Sequence, residues 1–126
     1  MKKNKPLLIL CILGGLLLFS SCDKNDPALT KTQLLTQHKW VLDATATGFI
    51  GLGTELSFNT DKTYTAEFPT FSDGGKWEFS ADETKLLLDR GIVIISYQIV
   101  KLDENNLQLK DLTPGAGDNT ITYIKK

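Results

Sequence analysis

The residues of this 126-residue chain that could do chemistry are few and far apart. His38 is the only histidine, which excludes a zinc site built on two histidines, and we expect it to end a helix, where a cation suits the helix dipole. Asp82-Glu83 and Asp103-Glu104 are adjacent carboxylates that could act as acid and base if the fold brought them together. Both pairs lie in predicted turns, where solvation is the expected role. None of the serines lies in a nucleophile-elbow sequence. We therefore predict that the protein is not an enzyme and holds no metal or cofactor.

The N-terminal segment has the order of a secretion signal. The opening "MKKNK" carries three lysines and the next 14 residues carry no charge, which is the basic-then-apolar layout of a signal peptide. This run is shorter than the roughly 20 apolar residues of a membrane-spanning helix. Phe19-Ser20-Ser21-Cys22 resembles the lipobox of bacterial lipoprotein signals, in which a large apolar residue and two small ones precede a cysteine. The resemblance implies a signal peptide at residues 1–21. It also implies that Cys22 begins the mature chain, with lipid on its sulfur and an acyl chain such as palmitate on its amine.

A lipid at Cys22 would determine where the protein lies. Two or more acyl chains give stable membrane attachment, so we expect a lipid-anchored protein of the cell envelope, at the outer membrane and facing the periplasm or the cell surface. Asp23, Lys24 and Asp26 loosely resemble the export signals that follow the lipidated cysteine in some Gram-negative bacteria, and a solvated linker is the alternative. An ordinary signal cleavage that leaves Cys22 as a free thiol is a second alternative. The other cysteine, Cys11, lies inside the signal, so no disulfide is expected.

The 105 residues from Cys22 onward suffice for one small domain. They carry 11 basic and 15 acidic side chains, a formal charge of −4. Such a surface has no electrostatic reason to bind nucleic acid or an anionic lipid layer, so the membrane contact must come from the lipid. The stretch "DKNDPA", residues 23–28, is polar and includes a proline, and we interpret residues 22–29 as the lipidated cysteine and a flexible tether. Residues 30–126 form the predicted domain.

Hydrophobic periodicity predicts one short helix followed by strands. Thr30 and Gln33 have the spacing of a capping box, which predicts a helix over residues 31–37. After it, apolar and polar residues alternate in "WVLDATA", "TELSF", "TYTAEF" and "KWEF", the two-residue period of strands with one buried face. The segments "TKLLLD", "GIVIISYQIVKL", "NLQLK" and "TITYIKK" bring the number of predicted strands to eight.

Three features of this pattern define the expected fold. In "GIVIISYQIVKL", Val93 and Ile99 share one parity and Leu102 has the other, which predicts a bulge near Ile99. Turn signals such as "NTDK", "SDGG" and "TPGAGDN" separate the strands, and no helix-sized segment lies between them. Closure removes the exposed edges that a two-sheet sandwich keeps. We therefore predict an all-β fold, an eight-stranded antiparallel up-and-down barrel with one short N-terminal helix. The inward set of the last two strands is expected to be Leu107, Leu109, Ile121 and Tyr123.

Several stretches together resemble a known family. "HKW", "LSFNTDKTYTAEF", "GGKWEFSADETKLLL" and "YQIVKLDENNLQLK" resemble the lipocalin-like domain of small Gram-negative bacterial lipoproteins, over residues 30–126. The resemblance implies a lipocalin-like barrel and says little about activity, because its elements are turn and core patterns. The turn "NTDK" has Lys62 where relatives often have glycine, so this residue either avoids a positive φ or tolerates strain. Lipocalins proper are longer, which implies a smaller interior in this chain.

The apolar loop "TGFIGLGT", residues 47–54, leaves two functions open. Its apolar side chains either plug the barrel or form a mouth through which a small hydrophobic ligand enters. In the second case the ligand-binding residues are Phe49, Ile50 and Leu52 of the loop, Phe71 on the same rim, and the interior aromatic residues Trp40, Phe58, Tyr64, Phe68, Trp77 and Tyr97. The alternative is a filled barrel without a ligand that docks another protein of the cell envelope.

Overall fold

The structure is a computed structural model that describes residues 27–46, 52–117 and 119–126. Within these ranges the elements are α1 (Lys31–Thr36), β1 (Lys39–Leu42), β2 (Glu55–Phe58), β3 (Thr63–Glu67), β4 (Ser72–Phe79), β5 (Lys85–Asp89), β6 (Ile94–Leu102), β7 (Asn106–Asp111) and β8 (Thr120–Lys125). Each strand pairs antiparallel with the next, and β1 also pairs with β8, so the sheet closes. The predicted eight-stranded up-and-down barrel with one short helix is confirmed. The predicted signal peptide and Cys22 lie outside the described residues.

Helix α1 begins at the predicted capping box. The hydroxyl of Thr30 accepts a hydrogen bond from the backbone N–H of Gln33 at 3.1 Å, and the Gln33 side chain accepts one from the Thr30 N–H at 2.9 Å. The helix has 6 residues and ends one residue before the predicted end. Its residue Leu35 is fully buried, and the Leu35 carbonyl accepts a hydrogen bond from the indole Nε1–H of Trp40 at 3.0 Å. This bond ties α1 to β1, so that the helix packs on one end of the barrel.

The inward-facing side chains of the eight strands meet in one core. Leu107, Leu109, Ile121 and Tyr123 are buried, which confirms the predicted inward set. The fully buried side chains with the largest volumes include Trp40, Trp77 and Tyr123. Side chains of this size fill the interior of a small barrel.

Strand β6 contains the predicted irregularity. Its register with β7 shifts between Ile99 and Lys101, which confirms a bulge at this place. Because of the bulge, both Ile99 and Leu102 pack against the core. The strand begins at Ile94, one residue after Val93, because the Arg90 N–H bonds to the Val93 carbonyl at 2.9 Å and turns the chain there.

The turn between β2 and β3 contains a non-glycine residue with a positive φ. Lys62 has a φ of +73°, so the turn tolerates the strain that glycine would avoid. The carboxylate of Asp61 accepts hydrogen bonds from the Thr63 N–H at 3.0 Å and from its hydroxyl at 2.6 Å. The Lys62 ammonium lies 4.3 Å from the centroid of the Trp77 ring, a cation–π contact.

The two ends of the barrel differ. Helix α1 and the connections β2–β3, β4–β5 and β6–β7 lie at one end, the helix end, where the Lys31 ammonium donates a hydrogen bond to the Glu83 carbonyl at 2.6 Å. The connections β1–β2, β3–β4, β5–β6 and β7–β8 lie at the opposite end, the mouth end. The described chain begins at the helix end, where Pro27 lies beside Leu102 and Asp103. Among the described residues, no helix is long and apolar enough to cross a membrane.

Candidate functional site

The residues predicted to bind a ligand divide into three groups. Six of them lie in the core and are at most 5% exposed: Trp40, Leu52, Phe58, Tyr64, Trp77 and Tyr97. Phe68 is partly buried against the core, and Phe71 is 57% exposed. Phe49 and Ile50 lie outside the described residues. The structure therefore brings most of the predicted set together as packed core.

The aromatic side chains inside the barrel pack on one another. The Phe58 ring stacks on Tyr64 with a centroid distance of 6.1 Å and meets Trp77 edge-to-face at 6.0 Å. Trp77 also meets Phe79 edge-to-face at 5.4 Å. The Trp77 indole N–H donates a hydrogen bond to the Asn59 carbonyl at 2.9 Å. Phe58, Trp77 and Phe79 lie at or near the ends of β2 and β4, so their rings pack together at the helix end of the barrel.

A second aromatic pair marks the mouth end. Phe68 and Phe71 stack with a centroid distance of 4.5 Å, and the Phe68 N–H donates to the Phe71 carbonyl at 2.8 Å across the β3–β4 connection. Leu52 of the β1–β2 connection is buried at the same end. As predicted, Phe71 and the β1–β2 connection share one end of the barrel.

Three tyrosines share the interior, and their hydroxyls differ in hydrogen bonding. The Tyr123 hydroxyl donates to the Gly53 carbonyl at 2.8 Å in buried surroundings. Tyr64 and Tyr97 are 3% and 5% exposed, and in the described part of the chain neither hydroxyl has a hydrogen-bond partner. Buried polar groups are nearly always hydrogen-bonded. An unpaired hydroxyl therefore costs free energy or marks a place where a water or a ligand group binds.

Charged side chains lie near these two phenols. Arg90 forms an ion pair with Asp73 that joins the mouth ends of β5 and β4. Asp111 ends β7 opposite Tyr97 in β6. Burial, together with the Asp111 carboxylate, raises the pKa of Tyr97 to about 12. Burial also raises the pKa of Tyr64, and the positive charge of Arg90 opposes that shift. The charge of Arg90 acts on both phenols, that of Asp111 acts on Tyr97, and Asp73 pairs with Arg90; we name these five residues the polar cluster.

Sequence reasoning missed the charged members of the polar cluster. Asp111 continues the inward parity of Leu107 and Leu109, which are buried. Arg90 and Asp73 likewise stand at the inward parity of β5 and β4, two residues or more from a buried side chain. A charge at an inward position where a strand ends is the signal that could have revealed them.

The residues named first for their chemistry serve the turns. The Asp82 carboxylate accepts hydrogen bonds from the Ser80 hydroxyl at 2.7 Å and from the Thr84 hydroxyl at 2.8 Å. The Asp103 carboxylate accepts one from the Asn106 N–H at 2.7 Å. Within residues 27–46, 52–117 and 119–126, no group of three or more His, Cys, Asp or Glu could hold a metal ion.

The outer wall also carries a groove. It has a volume of about 500 Å³ and runs along β4 and β5, where Lys76, Glu78 and Leu87 line it.

Comparison of the chain with protein-family models, with curated proteins and with solved structures finds no match in any of the three. The functional argument therefore depends on the geometry of the barrel.

Proposed function

We propose that this protein is a lipid-anchored lipoprotein of the bacterial cell envelope, whose lipocalin-like barrel is a protein-interaction module and not an enzyme. The observation that carries the proposal is the filled interior. Trp40, Trp77 and Tyr123 are at most 2% exposed and belong to one continuous cluster with the inward leucines. A carrier needs a concave site that buries most of its ligand, whereas a filled barrel leaves its outer surface for binding.

The anchor in this proposal is the acylated Cys22. The described chain begins at Pro27, which is exposed at the helix end, so a tether from residue 22 reaches the barrel without crossing the core. The test compares Cys22→Ser with a matched control, Cys11→Ser, in the full chain. We expect Cys22→Ser to move the protein from the membrane fraction to the supernatant and Cys11→Ser to leave it on membranes. Continued sedimentation of the Cys22→Ser protein with washed membranes would contradict the anchor.

The filled interior is tested separately by native mass spectrometry. The Cys22→Ser full chain, secreted into a bacterial periplasm and purified without detergent, is expected to show its apo mass. Incubation with palmitic acid is expected to leave that mass unchanged. A reproducible adduct that organic extraction removes would favour a carrier over an interaction module.

One specific observation favours a second function, the binding of a small hydrophobic ligand with one polar group at the mouth. Tyr64 and Tyr97 offer two buried hydroxyls without a partner in the described part of the chain, and such groups give orientation in ligand pockets. If this function holds, a ligand-induced mass adduct must weaken in Tyr97→Phe and remain in Tyr123→Phe. If neither substitution changes the amount of adduct in the mass spectrum, this site is excluded.

A further inference from the structure

Exposed apolar side chains concentrate at the mouth end. In the described part of the chain, eight large apolar residues are exposed, and five of them lie at this end. Ile92 is 98% exposed and Ile94 62% exposed in and after the β5–β6 connection. The five residues, which we name the apolar rim, are Phe71, Ile92, Val93, Ile94 and Leu112. Val93, Ile94 and Leu112 line one groove on the surface, and contiguous exposed apolar surface marks an interaction site.

The apolar rim is bordered by negative charge. The strands that run toward the mouth end finish at Glu67, Asp89 and Asp111 in β3, β5 and β7. Asp43 directly follows β1, the remaining strand of that direction. The described connections at this end contribute one cation, Arg90, and it forms an ion pair with Asp73. A surface that complements the rim is therefore apolar and flanked by positive charge.

The position of the tether indicates whether a membrane or a protein covers the apolar rim. The five residues from Cys22 to Pro27 span at most about 17 Å when fully extended. A domain of about 100 residues is roughly 30 Å across, and Pro27 lies at the helix end. A barrel anchored through Cys22 therefore holds its mouth end away from the bilayer that carries the lipid.

Like charge disfavours a second copy as occupant. Two barrels that met mouth to mouth would place Glu67, Asp89 and Asp111 of one copy against the same residues of the other. Juxtaposed like charges oppose association. A partner with lysine or arginine around an apolar patch meets no such repulsion.

We propose that the apolar rim docks a protein whose contact surface consists of apolar side chains flanked by lysine or arginine, on the side of the barrel that faces away from the membrane. This inference rests on the proposed function for its orientation, because the anchor at Cys22 sets which end faces the bilayer. The apolar rim is then the surface through which the interaction module binds, and its partner presents apolar side chains flanked by lysine or arginine.

The test uses the full chain carrying Cys22→Ser, free of lipid and detergent so that no bilayer is present to bind a basic amphipathic helix. Its probes are two synthetic amphipathic helical peptides, one of leucine and lysine and one of leucine and glutamate. We expect the lysine peptide to bind more tightly than the glutamate peptide, by about ten-fold or more. Ile92→Ser should weaken binding of the lysine peptide by about ten-fold, as expected for losing one well-buried isoleucine. Ile92 is 98% exposed, so this substitution does not disturb the fold.

The matched control is Ile124→Ser, which removes the same side chain from the outer wall of β8, where it is 43% exposed. We expect it to leave peptide binding unchanged. Equal binding of the two peptides, or equal loss in Ile92→Ser and Ile124→Ser, would overturn the proposal.

Two further outcomes would overturn it by naming another occupant. If the Cys22→Ser protein dimerises in sedimentation velocity and Ile92→Ser abolishes the dimer, the occupant is a second copy. If the Cys22→Ser protein binds phosphatidylglycerol vesicles and Ile92→Ser abolishes that binding, the occupant of the apolar rim is a lipid bilayer. Membrane fractionation of the Cys22→Ser protein tests only the lipid anchor, and peptide binding tests only the apolar rim. A wrong anchor and a wrong docking surface therefore give different results.

Discussion

The buried tyrosines provide a sharp test of the hydrogen bonding described above. Tyr123→Phe and Tyr97→Phe each remove one oxygen from a side chain that is at most 5% exposed. In Tyr123→Phe the carbonyl of Gly53, itself buried, loses the hydroxyl that donates to it at 2.8 Å. Leaving a buried acceptor without a partner costs about 1–3 kcal/mol, so we expect the free energy of unfolding to fall by that amount.

Tyr97→Phe is the matched control, because its hydroxyl has no partner in the described part of the chain. Removing an unpaired buried hydroxyl relieves a desolvation penalty of about 1–3 kcal/mol. We therefore expect Tyr97→Phe to be neutral or stabilising. The two substitutions are chemically identical, so their difference measures the hydrogen bond at Gly53 and not the loss of an oxygen.

The assay is urea unfolding of the Cys22→Ser full chain, followed by the fluorescence of Trp40 and Trp77, both of which are buried. An unchanged m-value in each variant ensures that the midpoint shift reports stability. Equal destabilisation by Tyr123→Phe and Tyr97→Phe would refute the reasoning. In that case the Tyr97 hydroxyl has a partner, either a buried water or a ligand group, and only a ligand group would favour the second function.

Three other results are expected. Trp77→Ala should lower the free energy of unfolding by about 3–5 kcal/mol, because the indole is 2% exposed and packs on two aromatic rings; near-native urea unfolding would contradict its core position. Hydrogen bonds from Ser80 and Thr84 lower the pKa of Asp82 to about 2, so its stabilising contribution is present above its ordinary pKa of about 4 and is lost as the pH falls toward about 2. Carboxyl NMR titration should show that midpoint, and Thr84→Val should raise it. Because burial raises the pKa of Tyr97 to about 12, ultraviolet titration should show this phenol ionising above the ordinary value of about 10, with its contribution to stability lost as the pH rises through 12.

The barrel was predictable from the sequence because its strands alternate strictly. Each of the strands β2, β3 and β7 places buried residues at every second position, and that period needs no tertiary information. The change of parity after Ile99 revealed the bulge for the same reason. The capping box of α1 was also local, since Thr30 and Gln33 are three residues apart.

The site was less predictable because it depends on contacts between distant residues. The Asp73–Arg90 ion pair spans 17 residues and the Tyr123–Gly53 hydrogen bond spans 70. Sequence periodicity gives a residue's face but not its partner across the barrel. The apolar rim could not be predicted for a different reason. Ile92 and Val93 belong to a continuous apolar run that resembles a buried strand, but the turn at Arg90 places both residues before the start of β6.

The close approach of β4 to its neighbours explains why binding is expected on the outside of this barrel. A side-chain carbon built on Gly75 would lie 2.1 Å from the Asp89 carbonyl oxygen and 3.3 Å from Cε1 of Tyr64. Glycine at this position therefore lets the β5 backbone and the Tyr64 ring come in where a side chain would hold them apart. The Tyr64 ring, which belongs to the polar cluster, then occupies part of the barrel interior. Because the interior is occupied there, the apolar residues of the rim are not needed to close the core, and their exposure is better explained by a partner.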